Sequence, residues 1–237
     1  MSIVPILAAV AAALLLSRKG KAPSPACQAI TSSGGDLDGV NYDEFVTAGA
    51  DPNATLPMIV SLHGLGYDKT AHVKWLKDLD VPARVILPNG FYEKGSASER
   101  AWWPAYSNAN LQEASERLSG FVGLIAQCRP TSGKPVMTGH SMGGFVALDF
   151  ATQFPHLISA SVPVAATRNN SLWDIEPGVP VHAVHGRLDN SFEAGGAYYE
   201  EMANRGLPVY FHPVDAGAHR LAAANAAVWR DVLSGLL

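Results

Sequence analysis

Six residues, Gly139-His140-Ser141-Met142-Gly143-Gly144, constrain this chain more than any other stretch. An apolar run, Pro135-Val136-Met137-Thr138, stands before them, and Phe145-Val146-Ala147-Leu148-Asp149-Phe150-Ala151 follows with the character of a packed helix. The serine therefore sits at a strand-to-helix turn. In such a turn the chain reverses so sharply that the residues two before and two after the serine have no room for side chains, which is why both are glycine. The serine takes a strained backbone conformation that lifts its hydroxyl clear of the sheet. The first N–H groups of the new helix face the same space. A small-residue helix start with a buried serine is the plain alternative; the strand, the helix and the second glycine favour the sharp turn.

The rest of the chain alternates. Residues 32–36 read as a turn and 40–47 as a strand, followed by a loop at 48–53. Met58–Leu62 is a short, nearly continuous apolar run, of the kind that suits a parallel strand covered on both faces. It ends at His63-Gly64-Leu65-Gly66. Residues 70–79 read as a helix, 84–87 as a strand stopped by Pro88-Asn89-Gly90, and 111–126 as a helix. The loop between them carries Trp102-Trp103-Pro104. Strands at 158–164, 180–184 and 208–214 and helices at 192–204 and 221–236 complete the series. Strand-helix alternation with short connections predicts an α/β fold: a doubly wound, mostly parallel sheet with helices on both faces.

The N-terminus is different. Residues 3–16 are apolar and rich in Ala and Leu, and Ser17-Arg18-Lys19-Gly20-Lys21 closes them. That length is short of the ~20 residues a bilayer crossing needs. The positive cluster follows the apolar run, so an anchor would hold the domain on the cytoplasmic side. Residues 1–21 are read as an export or membrane segment, against the alternatives of an atypical signal peptide and a helix that docks on the domain. Residues 22–26, with Pro23 and Pro25, form a stiff linker, and 27–237 the folded domain. A domain of that length can bury a sizeable core. The only cysteines, Cys27 and Cys128, either pair in an oxidising compartment or remain buried thiols. Net charge is −4, and no basic run is interleaved with aromatics, so nucleic acid is not an expected partner. The eight histidines lack metal-ligand spacing and there is no phosphate-binding fingerprint; neither a metal nor a cofactor is expected.

A serine hydroxyl attacks nothing at neutral pH without a base in hydrogen-bond reach, and that base needs an orienting group. In open α/β sheets the active groups gather at the carboxyl ends of the strands. Asp189 follows the 180–184 strand, and His219 follows the 208–214 strand within Ala216-Gly217-Ala218-His219-Arg220. Asp174 and Glu176 precede their strand and should emerge at the opposite edge. Asp215 is so near His219 in sequence that it is expected to shape the histidine loop instead. The chain order is then Ser141, Asp189, His219.

With these pieces assembled, the sequence resembles the serine esterases of the α/β-hydrolase superfamily. The nearest likeness is to phospholipase/carboxylesterases and polyhydroxybutyrate-depolymerase-like esterases. The likeness rests on His63-Gly64-Leu65-Gly66, the Pro88-Asn89-Gly90 to Trp102-Trp103 loop, Gly139 to Gly144, His185-Gly186 with Asp189, and Gly217-Ala218-His219, and so spans residues 58–219. Where such carboxylesterases carry Val-Pro soon after the aspartate, this chain has Asn190-Ser191-Phe192. The resemblance implies a nucleophile elbow at Ser141 and an oxyanion hole from the backbone N–H groups of Leu65 and Met142. It also implies substrate contact at Trp102 or Trp103, with His140 as a pocket wall. His63 is expected to brace its loop and His185 to be structural. The expected substrate is a small-molecule or polymeric ester, with membrane association through residues 3–16. Thioesterase or acyltransferase chemistry on the same three residues is the alternative within enzymes, and a non-catalytic binding protein of this fold the alternative outside them.

Overall fold

The computed structural model describes residue 27, residues 33–167 and residues 176–237. The apolar segment 1–21, its linker 22–26 and Asp174 lie outside the described residues. In chain order the elements are β1 (Gly34–Leu37), β2 (Val40–Val46), β3 (Met58–Leu62), α1 (Val73–Leu76), β4 (Arg84–Pro88), β5 (Tyr92–Glu93), β6 (Arg100–Ala101), α2 (Asn108–Cys128), β7 (Val136–His140), α3 (Met142–Gln153), β8 (Ala160–Val164), β9 (Val181–Gly186), α4 (Phe192–Asn204), β10 (Val209–Val214) and α5 (Ala223–Ser234).

Eight strands form one sheet in the order β1-β2-β4-β3-β7-β8-β9-β10. β1 and β2 are antiparallel to their neighbours, and every pairing from β4 to β10 is parallel. β3, β4, β7 and β8 are buried at every position, as their unbroken apolar runs require. Side chains alternate between two cores. Val60, Ile86 and Met137 join Leu118, Phe121 and Phe150 under α2 and α3. Ile59, Val85 and Val136 join Leu76, Trp229 and Leu233 under α1 and α5. Helices therefore cover both faces, and the period of two in the strands divides the apolar load between them. The register brings the carboxyl ends of the parallel strands together: Leu62 pairs with Gly139, His140 with Val164, and Gly186 with Val214.

Three local expectations change. Of the turn read at residues 32–36, residues 34–36 are strand: β1 pairs with β2, and the chain reverses at Asp38-Gly39, where φ is 56° and 72°. An Asp-Gly pair with two positive φ angles is the two-residue hairpin turn that suits strand twist, and the glycines before it had masked that signal. The helix read over 70–79 shrinks to α1. Asp68 Oδ1 accepts hydrogen bonds from both the backbone N and the hydroxyl of Thr70, a local turn that competes with helix at its start. The open cysteine question resolves into a bond: Cys27 and Cys128 form a disulfide with Cα atoms 5.0 Å apart, tying the start of the domain to the end of α2.

One charged cluster is buried away from the strand ends. Glu44 on β2 accepts from Arg84 on β4 and from Arg129 just past α2. Arg84 also donates to the carbonyls of Pro52 and Ala54. A buried pair is tolerated only when its remaining hydrogen-bonding capacity is used, and here most of it is.

Candidate active site

Ser141 lies between β7 and α3 with φ 51° and ψ −115°, a left-handed conformation that few non-glycine residues adopt. Its neighbours explain how the chain tolerates it. A Cβ on Gly139 would run into the Gly143 carbonyl, and one on Gly143 into the Leu62 carbonyl. One on Gly144 would come within 2.6 Å of the Ala166 side chain. The Ser141 N–H donates to Val164 O at 2.9 Å, and the Ser141 carbonyl accepts from Phe145 N at 3.0 Å, so the strained residue is fixed from the neighbouring strand and from the helix.

Ser141 Oγ is 3.0 Å from His219 Nε2, and His219 Nδ1 is 2.8 Å from Asp189 Oδ2. A carboxylate oxygen only accepts, so Nδ1 carries the hydrogen and Nε2 is left to accept the serine proton. Asp189 is buried. Its Oδ1 accepts from the Ser191 N–H at 2.9 Å and the Ser191 hydroxyl at 2.8 Å, while Oδ2 also accepts from His185 Nε2 at 3.0 Å. Burial pushes the carboxyl up, but the hydrogen bonds from Ser191 and His219 outweigh it and hold the group at about 2. It is therefore ionised at neutral pH. Asp215 is exposed and paired with Arg187, and Glu176 is exposed beside Arg205, so neither competes for the histidine.

The loops that carry Asp189 and His219 are stitched together. Leu188 N donates to Gly217 O at 2.8 Å, and a Cβ on Gly186 would strike the Gly217 backbone. The Asn225 amide donates to Ala218 O at 3.1 Å from below. His140 Nε2 donates to the His219 carbonyl at 2.6 Å, so this neighbour of the serine also holds the histidine loop.

Leu65 follows a loop that is braced in three places. His63 Nδ1 donates to Gly64 O at 2.8 Å, His63 Nε2 accepts from Gly90 N at 2.8 Å, and the Trp102 indole donates to His63 O at 2.8 Å. Burial pushes His63 down to about 4, so it stays neutral and serves as both donor and acceptor. Gly64 itself packs on the elbow: a Cβ there would lie 3.6 Å from Ser141 Cβ. Met142 opens α3, and its N–H belongs to the first turn, which has no acceptor within the helix.

A cavity of about 410 Å³ opens beside Ser141, lined by Leu65, Trp103, Pro104, Tyr106, Met142 and Phe145 among others. Tyr106 meets Trp103 and Phe145 edge to face, each at 6.2 Å between ring centres. Of the three residues read as substrate contacts, only Trp103 lines this cavity. Trp102 is fully buried beneath the Leu65 loop. His140 is buried and borders a different cavity of about 600 Å³, with Tyr67, His72 and Arg220. Sequence reasoning missed Tyr106, Phe145 and Ser191, whose roles depend on loops folding back, and it read His185 only as structural.

With the geometry in view, the class is clear: the sheet order and the helices on both faces are those of the α/β-hydrolase fold. The chain belongs to the Esterase family, whose model, described as "Putative esterase", matches residues 44–221, and it is a hydrolase that acts on esters. Among solved structures it is similar to esterase PE8, at 19% identity over 84% of this chain and 99% of that one, with a TM-score of 0.68. A carboxylesterase from Mesorhizobium loti gives 16% identity, 83% and 95% coverage and a TM-score of 0.68. The acyl-protein thioesterase 2 of Zea mays gives 18%, 82% and 98%, and 0.63. At such identities the likeness shows the fold alone. No curated protein sequence matches the chain.

Proposed function

We propose that the protein is a metal-independent serine esterase that cleaves carboxylic esters through an acyl-enzyme, with Ser141 as nucleophile, His219 as base and Asp189 as its orienting acid. One observation carries this reading: the continuous contact from Ser141 Oγ to His219 to Asp189, at 3.0 and 2.8 Å, beginning on a serine with φ 51°. A binding protein would have no use for a strained serine aimed at a histidine.

His219 takes the Ser141 proton as the hydroxyl attacks the ester carbonyl. Negative charge develops on the carbonyl oxygen, where the N–H groups of Leu65 and Met142 supply preorganised donors. The tetrahedral intermediate collapses, and His219 protonates the departing alcohol. Water enters and attacks the acyl carbonyl as His219 removes its proton; the bond to Ser141 Oγ breaks, His219 returns the proton to Oγ, and the acid product leaves. Asp189 stays ionised throughout and stabilises the imidazolium. The aromatic wall of Trp103, Tyr106 and Phe145 suits an apolar acyl group of modest size. A thioester would follow the same path. Rates on p-nitrophenyl esters and on the matching acyl thioesters, compared at equal acyl length, decide between the two.

The domain reading is also a proposal. Residues 27–237 form the catalytic unit, and residues 1–21 direct export or association with a membrane. The Cys27–Cys128 bond supports an oxidising destination. Among the described residues no helix is long and apolar enough to cross a membrane. Pre-steady-state hydrolysis of p-nitrophenyl acetate tests the chemistry: a burst of one nitrophenol per enzyme is expected, and no burst with no turnover would reject the acyl-enzyme.

A further inference from the structure

His185 is the penultimate residue of β9 and is completely buried, and no step of the proposed reaction uses it. Its ring lies against Asp189, with Nε2 3.0 Å from Oδ2. That is the same oxygen to which His219 Nδ1 donates at 2.8 Å. The carboxylate can only accept, so His185 Nε2 carries a hydrogen. Burial pushes His185 down, against the pull of Asp189, which keeps the ring neutral and leaves Nδ1 a bare lone pair. Among the described residues buried Nδ1 has no hydrogen-bond partner.

The ring is held in that orientation by its surroundings. Phe192 meets it edge to face at 5.9 Å. Gly195 on α4 leaves the space that the ring fills, since a Cβ there would stand 2.8 Å from Nδ1. An apolar side chain would fill this site without an unpaired buried nitrogen, which is costly in a folded protein. What the imidazole adds, and an apolar group cannot, is a second N–H on Asp189 Oδ2.

We infer that His185 is a positioning residue that sets how tightly Asp189 holds the proton-bearing His219, by sharing the carboxylate oxygen that both histidines contact. The inference rests on the serine-esterase reading above. Asp189 stabilises the imidazolium formed when His219 takes the serine proton. An oxygen that already accepts one N–H offers less charge to a second. His185 therefore moderates the ion pair, and the imidazolium gives its proton to the departing alcohol more readily. His185 also helps fix the carboxylate plane, together with the two donors of Ser191 on Oδ1.

Among the described residues few other charges reach this pair. Asp189 and His219 face His185 directly. α4 contributes Phe192 and Gly195, which are uncharged, and Arg187 lies over the Phe192 ring at 5.0 Å while paired with Asp215. On the other side of His219 stand Arg220, next in sequence, and the His140 ring at 5.5 Å, which burial keeps neutral.

The test compares His185→Leu with His185→Gln. Glutamine can place an amide N–H near the position of Nε2; leucine cannot. The readout is kcat/KM for a p-nitrophenyl ester as a function of pH. For His185→Leu the acid limb should move to higher pH by roughly half a unit or more, because Asp189 then holds the His219 proton more tightly. Its kcat at neutral pH should fall by up to about threefold with KM within about twofold, because the imidazolium then gives its proton to the departing alcohol less readily. His185→Gln should keep the wild-type acid limb and most of the rate. Equal losses in both variants with an unmoved acid limb would show that the ring only fills space, and would overturn the inference. Histidine ¹⁵N NMR of the wild-type protein covers the case in which a variant fails to fold. His185 should be neutral at pH 7, titrating below the ordinary 6.5, with its hydrogen on Nε2; a hydrogen on Nδ1, or titration above 6.5, would overturn it. Failure of the esterase reading would look different: the wild-type enzyme itself would show no acyl-enzyme, whatever the NMR reports.

Discussion

Ser141 and Asp189 owe their proposed chemistry to backbone and neighbours: among the described residues Ser141 is the one serine with a positive φ, and Asp189 is hydrogen-bonded to His219. From the sequence Asp189 is preferred to Asp215 for its His-Gly-x-x-Asp context and because Asp215 stands so near His219; four donors surround Asp189, while Asp215 faces solvent with Arg187. Asp189→Asn is expected to lose about three to four orders of magnitude in kcat with KM little changed, because an amide can turn its N–H toward His219 and favour the wrong tautomer. Asp215→Asn should lose about tenfold or less. Steady-state hydrolysis of a short-chain p-nitrophenyl ester measures both, and a crippled Asp215→Asn beside an active Asp189→Asn would reverse the assignment. His63 and His140 make a separate, thermodynamic prediction. Burial lowers both to about 4 in the folded protein, below the unfolded value of 6.5. The unfolded chain therefore binds more protons between those values, so their contribution is complete above pH ~6.5 and is lost as pH falls toward ~4. Each contributes a slope of up to roughly 1.4 kcal/mol per pH unit across that window. Denaturant unfolding followed from neutral to acid pH should show stability falling there; a flat profile would mean that these rings are not held neutral.

At the scale of elements, the strands and helices that pack on the parallel sheet were legible, because continuous apolar runs and 3.6-residue periodicity both report burial. Met58–Leu62 and Phe192–Asn204 match the sequence reading residue for residue. Features that depend on a partner were not legible. β1 is visible only once β2 lies beside it, and the short β5 and β6 pair with each other inside what reads as one loop. The elbow was readable because its glycines report a steric demand. Gly143→Val should prevent folding or abolish activity, since even a Cβ would collide with the Leu62 carbonyl. A folded and fully active Gly143→Val protein, judged by circular dichroism and ester turnover, would mean that the turn is not built this way. α2 offers a milder case. The Ser107 side chain accepts from Asn110 N at 3.1 Å as an N-cap, so Ser107→Ala should cost about 1 kcal/mol in urea unfolding without touching activity.

For the whole molecule, the site was readable at its strand ends and dark in its loops. Ser141, Asp189 and His219 each follow a strand that sequence pattern reveals. Trp102 and Trp103 are adjacent in sequence, yet one is buried under the Leu65 loop and the other lines the cavity, a difference that only the loop's path determines. The disulfide was equally undecidable from spacing, because Cys27 and Cys128 lie 101 residues apart. Closing so long a loop restricts the unfolded chain by up to about 4.7 kcal/mol in the chain-entropy account, so reduction should lower Tm by several degrees and leave ester turnover at low temperature intact. An unchanged Tm after reduction, with both thiols counted free, would contradict that. The central claim is that Ser141, raised on its elbow and served by His219, is the nucleophile. Fluorophosphonate labelling of wild type and Ser141→Ala, followed by peptide mass mapping, tests it most directly. A single adduct on the peptide containing Ser141, absent from a Ser141→Ala protein of near wild-type Tm, is the expected result; an adduct that persists in the variant, or that maps to another residue, would contradict it.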